Sequence, residues 1–219
     1  QACDHLEEQM IPVHAWGTRY VGARASADAN WPNVWRVLAH ADNTVVDVRP
    51  PPGKDWQPRT LSAGEWFDFK LGDAEVTATN PVLVTEFMVG MKYCLIPPWC
   101  SPPNPDTPGD PAMSLIVPVE QYRTEYSFLA PETYEESYVS IIAPPDITLT
   151  LDGNRITPQF TAIGKDGNQV TDYQIAKLPI SGSHTLKGST KFGILVYGMG
   201  SYTSYMYPGG LDVKVIYPQ

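Results

Sequence analysis

Three tyrosines late in the chain carry its most usable recognition chemistry. Tyr202, Tyr205 and Tyr207 lie within GMGSYTSYMYPGG, residues 198–210, interleaved with Ser201, Thr203, Ser204 and glycines. Rigid aromatic faces beside hydroxyls on a glycine-permitted loop are the chemistry of antibody paratopes and sugar sites. The competing reading is a turn whose tyrosine folds back onto its own sheet, as in a tyrosine corner. A second group, Glu120, Gln121 and Arg123, flanks Tyr122 and Tyr126. A carboxylate and a guanidinium can pair, and an amide can read a ligand hydroxyl, so this group predicts a polar groove. Its structural alternative is a pair across adjacent strands. We expect ligand contacts from these six residues.

Catalytic patterns are missing. The sequence has no GxSxG elbow, no HExxH and no GxxxxGK[ST], so neither nucleophile activation, zinc hydrolysis nor phosphate cradling is indicated. Glu86 and Glu120 are the carboxylates one would pair for sugar hydrolysis, with nothing particular in their surroundings to recommend them. Asp4, His5, Glu7 and Glu8 offer oxygen and imidazole ligands for a hard cation, but a solvated polar face is the simpler account. We expect no cofactor, no metal and no enzyme activity. Cysteine is odd in number at three. Cys94 and Cys100 bracket a short proline-stiffened loop, which suits a local disulfide and leaves Cys3 to pair upstream in the parent protein; the alternative is that Cys3 takes one of the two and strands the other.

The formal charge of −9 argues against a phosphate-backbone partner, which clustered Lys and Arg would attract. No apolar run approaches the roughly 20 residues that span a bilayer, so no membrane insertion is expected. The opening QACDHLEEQM lacks a basic segment followed by an apolar one, and a mature soluble fragment fits best.

The elements that must position these residues are repeated. Pro12-Val13-His14-Ala15-Trp16-Gly17-Thr18-Arg19-Tyr20 recurs as Pro118-Val119-Glu120-Gln121-Tyr122-Arg123-Thr124-Glu125-Tyr126, an offset of 106. Residues 35–39 match 139–143, 63–67 match 181–185 and 80–84 match 191–195, at offsets of 104, 118 and 111. Drifting offsets are what loop insertions produce between duplicated units. Trp16 and Tyr20 then occupy the places of Tyr122 and Tyr126, as recurring core positions would.

Apolar alternation over 35–39, 44–48, 75–79, 82–89, 139–143, 147–151, 192–197 and 211–217 predicts strands, and Asp152-Gly153 a hairpin turn. Twenty-two prolines and 17 glycines leave little room for helix; only 5–9 and 133–137 suggest a helical turn. Residues 49–59 read as an insertion peculiar to the first module. The proline-rich stretch 93–111 reads as a connector or a long exposed loop, placed where the repeat puts a boundary.

Three segments also carry a family resemblance: CDHLEEQMIPV, GDPAMSLIVPVEQYRTEYSFLAP and FGILVYGMGSYTSYMYPGGL. They resemble the N-terminal domain of the IgG Fc-binding protein family as it occurs in bacterial secreted and surface proteins. The resemblance covers nearly the whole chain. It implies an extracellular module of a larger protein, in adhesion or surface recognition, and brings no catalytic motif.

The expectation is therefore an all-β chain of two tandem homologous antiparallel β-sandwich domains, jelly-roll-like or immunoglobulin-like, over 1–105 and 106–219. Its expected work is recognition of a protein or glycan on another cell surface, beside flanking domains of its parent protein. A non-binding spacer in a surface fibre is the alternative, and a polysaccharide-acting enzyme ranks third.

Overall fold

The computed structural model describes residues 5–26, 31–90, 109–163 and 171–217. Cys3, Cys94 and Cys100, and with them the expected disulfide, lie outside the described residues. The chain is all-β, in two curled antiparallel sheets of seven and eight strands that form two sandwich-like modules. The first holds β1 (Gly17–Gly22), β2 (Asn33–Ala39), β3 (Thr44–Arg49), β4 (Arg59–Leu61), β5 (Trp66–Leu71), β6 (Ala74–Phe87) and β7 (Met113–Leu115). The second holds β8 (Arg123–Ala130), β9 (Glu136–Ala143), β10 (Leu149–Leu151), β11 (Asn154–Ile156), β12 (Thr161–Ala162), β13 (Gln174–Pro179), β14 (Gly182–Gly200) and β15 (Thr203–Pro208).

One long strand organises each module. The first half of β6 lies between β1 and β3, and its second half between β7 and β2. It therefore belongs to both layers of the sandwich. The change of partners falls at Asn80-Pro81, where a proline without an N–H does least harm to a ladder. Sequence alternation had suggested two strands here, and the structure makes them one bent strand. In β14 the same change of partners follows a register shift between Lys187 and Phe192. Between the layers of the first module, Trp35, Val37, Val46, Val48, Val76 and Val84 are buried, the inward half of alternating strands. Val139, Ile141, Leu149, Leu186, Ile194 and Val196 do the same in the second.

The registers show the duplication strand by strand. Tyr20 faces Val76 and Tyr126 faces Leu186; Val37 faces Val84 and Ile141 faces Ile194. In the first module the Tyr20 hydroxyl donates to the Val82 carbonyl at 2.5 Å and accepts from the Gly17 N–H at 3.0 Å. In the second the Tyr126 hydroxyl donates to the Phe192 carbonyl at 2.5 Å and accepts from the Arg123 N–H at 2.9 Å. These tyrosines pin a 3-10 turn (Val13–Ala15 and Val119–Gln121) against the long strand. The match of 63–67 with 181–185 does not survive: Gly64 precedes β5, whereas Gly182 opens β14, the counterpart of β6. The two glycines answer similar turn demands, each at positive φ.

Other expectations change as well. Residues 5–9 and 133–137 are not helical, and the second stretch runs into β9. Residues 211–217 alternate like a strand yet form a strap outside the sheets; Val213 sits at φ 50°, which breaks any ladder. The excess residues of 49–59 join β3 to β4, where Asp152-Gly153, both at positive φ, close the β10–β11 hairpin. β7 pairs with β6 as β15 pairs with β14, so the first sheet runs on to Leu115, and the proline-rich stretch lies between two strands of that sheet.

The modules are joined through side chains. Val21 and Ala23 pack with Tyr122, Ile142 and Ile175; Ala25 and Met88 pack with Leu195, Tyr197 and Met206. Arg19 bonds Glu75 of its own module and Asp172 of the other.

Candidate recognition surface

The β14–β15 hairpin carries the three tyrosines. Gly200 pairs with Thr203, which leaves Ser201-Tyr202 as the turn. Tyr202 stands 66% exposed with φ at 56°, a conformation rare for an aromatic residue. The Ser201 N–H donates to Glu135 Oε1 at 3.0 Å, tethering the base of the tip. Tyr202 overlooks a cleft of about 450 Å³, bounded by Thr203 and Ser204, by Asp110 and Met113, and by His5 and Glu7. Gly109 and Asp110 are held to the hairpin: their N–H groups donate to the Gly200 carbonyl at 3.0 Å and to Ser204 Oγ at 2.8 Å.

Tyr205 and Tyr207 point the other way, because alternate residues of a strand face opposite sides. The Tyr205 hydroxyl bonds Ser137 Oγ at 3.0 Å, and its ring meets Tyr134 edge-on at 4.6 Å. The Tyr207 hydroxyl donates to the Leu129 carbonyl at 2.6 Å and accepts from its N–H at 3.0 Å. Burial raises the pKa of both phenols. Both pack on the second core. The geometry thus divides the trio, with Tyr202 offered to solvent and the other two engaged within the module.

Glu120, Gln121 and Arg123 do not converge. Glu120 Oε1 accepts from the backbone N–H of Thr18 at 3.1 Å and from its hydroxyl at 3.3 Å, across the modules. Gln121 is fully buried; its amide donates to the carbonyls of Ala15 at 3.3 Å and Lys214 at 2.7 Å, and its Oε1 accepts from the Lys214 N–H at 2.9 Å. The strap returns further bonds, from Ile216 and Tyr217 to the His14 carbonyl. Arg123 is exposed and lines a separate depression with Glu125, Ser127 and Gly209. Glu120 and Arg123 form no ion pair with each other among the described residues. The first two residues serve the seam between modules, and Gly17 shows how tight that seam is: a β-carbon there would lie 2.3 Å from Pro118 Cβ.

A buried polar cluster nearby escaped sequence reading. Glu86 is inaccessible; its Oε1 accepts from Asn33 Nδ2 at 2.5 Å and from the Ala25 N–H at 3.1 Å, while its Oε2 has no hydrogen-bond partner among the described residues. Burial pushes its carboxyl up to about 8, against the opposing pull of those two donors. Lys177 enters from the second module, 3.7 Å from Asp73 and donating to the Arg24 carbonyl at 2.7 Å. Burial lowers its pKa, and Asp73 opposes that shift. A carboxylate in the apolar run VLVTEFMV was the available signal. Glu86 and Glu120 do not face one substrate site: one is sealed in this cluster, the other is spent on Thr18. Among the described residues no three His, Cys, Asp or Glu side chains come together.

The chain is thus two interlocked β-sandwich-like modules with an aromatic hairpin beside a cleft. The chain belongs to the IgGFc binding protein family, whose model matches residues 1–198. It is 23% identical over 217 residues to the IgGFc-binding protein of Homo sapiens, an alignment that takes in 99% of this chain and 4% of that protein. The chain therefore spans a small fraction of the length of the curated relative it matches. No solved structure matches it. Among the described residues, no helix is long and apolar enough to cross a membrane.

Proposed function

We propose that the chain is an extracellular recognition module of a larger secreted or surface protein, and that it adheres to a protein or glycan partner through the β14–β15 hairpin. The observation that carries this reading is Tyr202, an exposed aromatic ring held in a strained turn above an open cleft. Aromatic anchors of this kind dominate interface energetics. The relative's name records IgG Fc binding, which favours a protein over a glycan as partner. We take the modules to divide at Pro118, where the repeat restarts.

The test is a binding screen of the purified chain against IgG Fc fragment and a glycan array, with Tyr202→Gly as the variant. Glycine fits the positive φ, so the variant keeps its melting temperature; loss of a central anchor weakens any hit by about 30-fold or more. Unchanged affinity in Tyr202→Gly refutes the hairpin as the site. A second reading, a rigid spacer in a surface fibre, draws on the bonds that Gln121 and the strap make across the modules. It predicts no hit on the same screen.

A further inference from the structure

The modules meet through unlike faces, and the duplication shows where those faces recur. The first module presents Val21 and Ala23; the second receives them on the outer side of β9 and β13, through Ile142 and Ile175. By sheet register, Ile142 and Ile175 correspond to Leu38 and Trp66 of the first module. Val21 and Ala23 correspond to Ser127 and Leu129 of the second. The receiving face thus recurs on the first module, and the presenting face on the second.

Each recurrent face has one exposed apolar residue, while Leu38, the counterpart of Ile142, is half-buried against the cluster of Trp16, Leu83 and Leu115. Trp66 is 53% and Leu129 52% exposed, although their counterparts Ile175 and Ala23 are buried. Arg36 lies over the indole of Trp66 at 3.9 Å, held there by a bidentate pair with Asp68 at 2.8 and 2.9 Å. Beside Leu129 is a depression of about 420 Å³ lined by Ser127, Asp152, Ser183, His184 and Thr185. Ser183 and Thr185 stand where the first module has Asp73 and Glu75, which meet Lys177 and Thr171 across the internal junction.

We propose that a second copy of this chain docks on these faces, the Trp66 face of one copy receiving the Leu129 face of the next. The contact repeats the internal junction between molecules. It is heterologous, so copies add head to tail and each leaves one face open. Hydroxyls replace the charges of the internal junction, which makes the contact weaker and reversible. Tryptophan and arginine are both among the residue types enriched at interface hot spots. The proposal is independent of the Tyr202 reading, because Tyr202 sits at the turn beyond Gly200 and lines neither face, whereas Ser183 and Thr185 lie at the opposite end of β14.

Sedimentation velocity of the full chain from micromolar to millimolar concentration tests it. Wild type is expected to self-associate, and Trp66→Glu and Leu129→Glu each to weaken that association by about 30-fold or more. An equimolar mixture of the two variants is expected to form pairs that do not extend, because one intact face of each kind remains. A monomeric wild type, self-association of either variant at wild-type strength, or a mixture that fails to pair overturns the proposal. Should a glutamate variant lose its near-ultraviolet circular dichroism, Trp66→Ser and Leu129→Ser replace it with the same expectations.

Discussion

Replacing Glu86 with glutamine should stabilise the protein at neutral pH, and by an amount that depends on pH. The carboxyl titrates at 4.5 in an ordinary setting and near 8 when buried in the fold. Between those values the folded state holds a proton that the unfolded state has released, so stability falls as pH rises through the window. At about 1.4 kcal/mol per unit, the 2.5 units from 4.5 to pH 7 amount to about 3 kcal/mol. Glutamine keeps the acceptor for Ala25 and Asn33 and has no proton to lose. Urea unfolding of both proteins at pH 4.5, 6, 7 and 8 should therefore give converging midpoints at the acid end and a growing advantage for Glu86→Gln above it. At pH 7 the melting temperature should rise by about 6–12 °C for a chain of this size. A variant equal to or less stable than wild type at pH 7 refutes the reasoning. Glu86 would then be ionised with Lys177 stabilising its charge, and the amide would forfeit that attraction.

Three further outcomes follow from named contacts. Gly17→Ala brings a methyl to within 2.3 Å of Pro118 Cβ and 2.7 Å of Glu120 Oε2; overpacking there should cost about 1–3 kcal/mol by chemical unfolding. Tyr20→Phe and Tyr126→Phe each orphan the same kind of N–H and remove the same bond to the long strand, so each should cost about 1–3 kcal/mol, and the two losses should agree within experimental error. Burial pulls the His184 imidazole down, but Asp152 at 2.7 Å and the Ser181 carbonyl at 2.8 Å outweigh it and hold its pKa above 6.5. Its contribution to stability is complete below pH 6.5 and is lost as pH rises through the folded pKa. His184→Gln should remove that component from the pH–stability profile.

The all-β class and the duplication were legible because each tyrosine sits at one fixed place after a proline, where its hydroxyl must reach a carbonyl of the long strand. The bend in β6 was not. Two apolar runs around Asn80-Pro81 look like two strands until the partners on either side are known. The strap misled for the opposite reason: Val213, Val215 and Tyr217 alternate like a strand, but no ladder runs beside them and their side chains face solvent. At the hairpin the three rings are alike in sequence; only the fold puts Tyr202 in the exposed turn and Tyr205 and Tyr207 on the strand side that packs on the module. Glu120 and Gln121 read as ligand groups because polar residues beside tyrosines look the same whether they meet a ligand or another module.

The strap has a mechanical consequence. Ile216 and Tyr217 are bonded to the carbonyl of His14 at 2.8 and 3.1 Å, so a pull between the segment carrying His14 and Tyr217 meets these bonds before it loads either sandwich. They would peel first, the Lys214 and Asp212 bonds to Gln121 next, and the six residues from Asp212 to Tyr217 would then lengthen the chain by about 20 Å at full extension. Both modules would stay closed behind that slack, giving the chain a built-in shock absorber under tension.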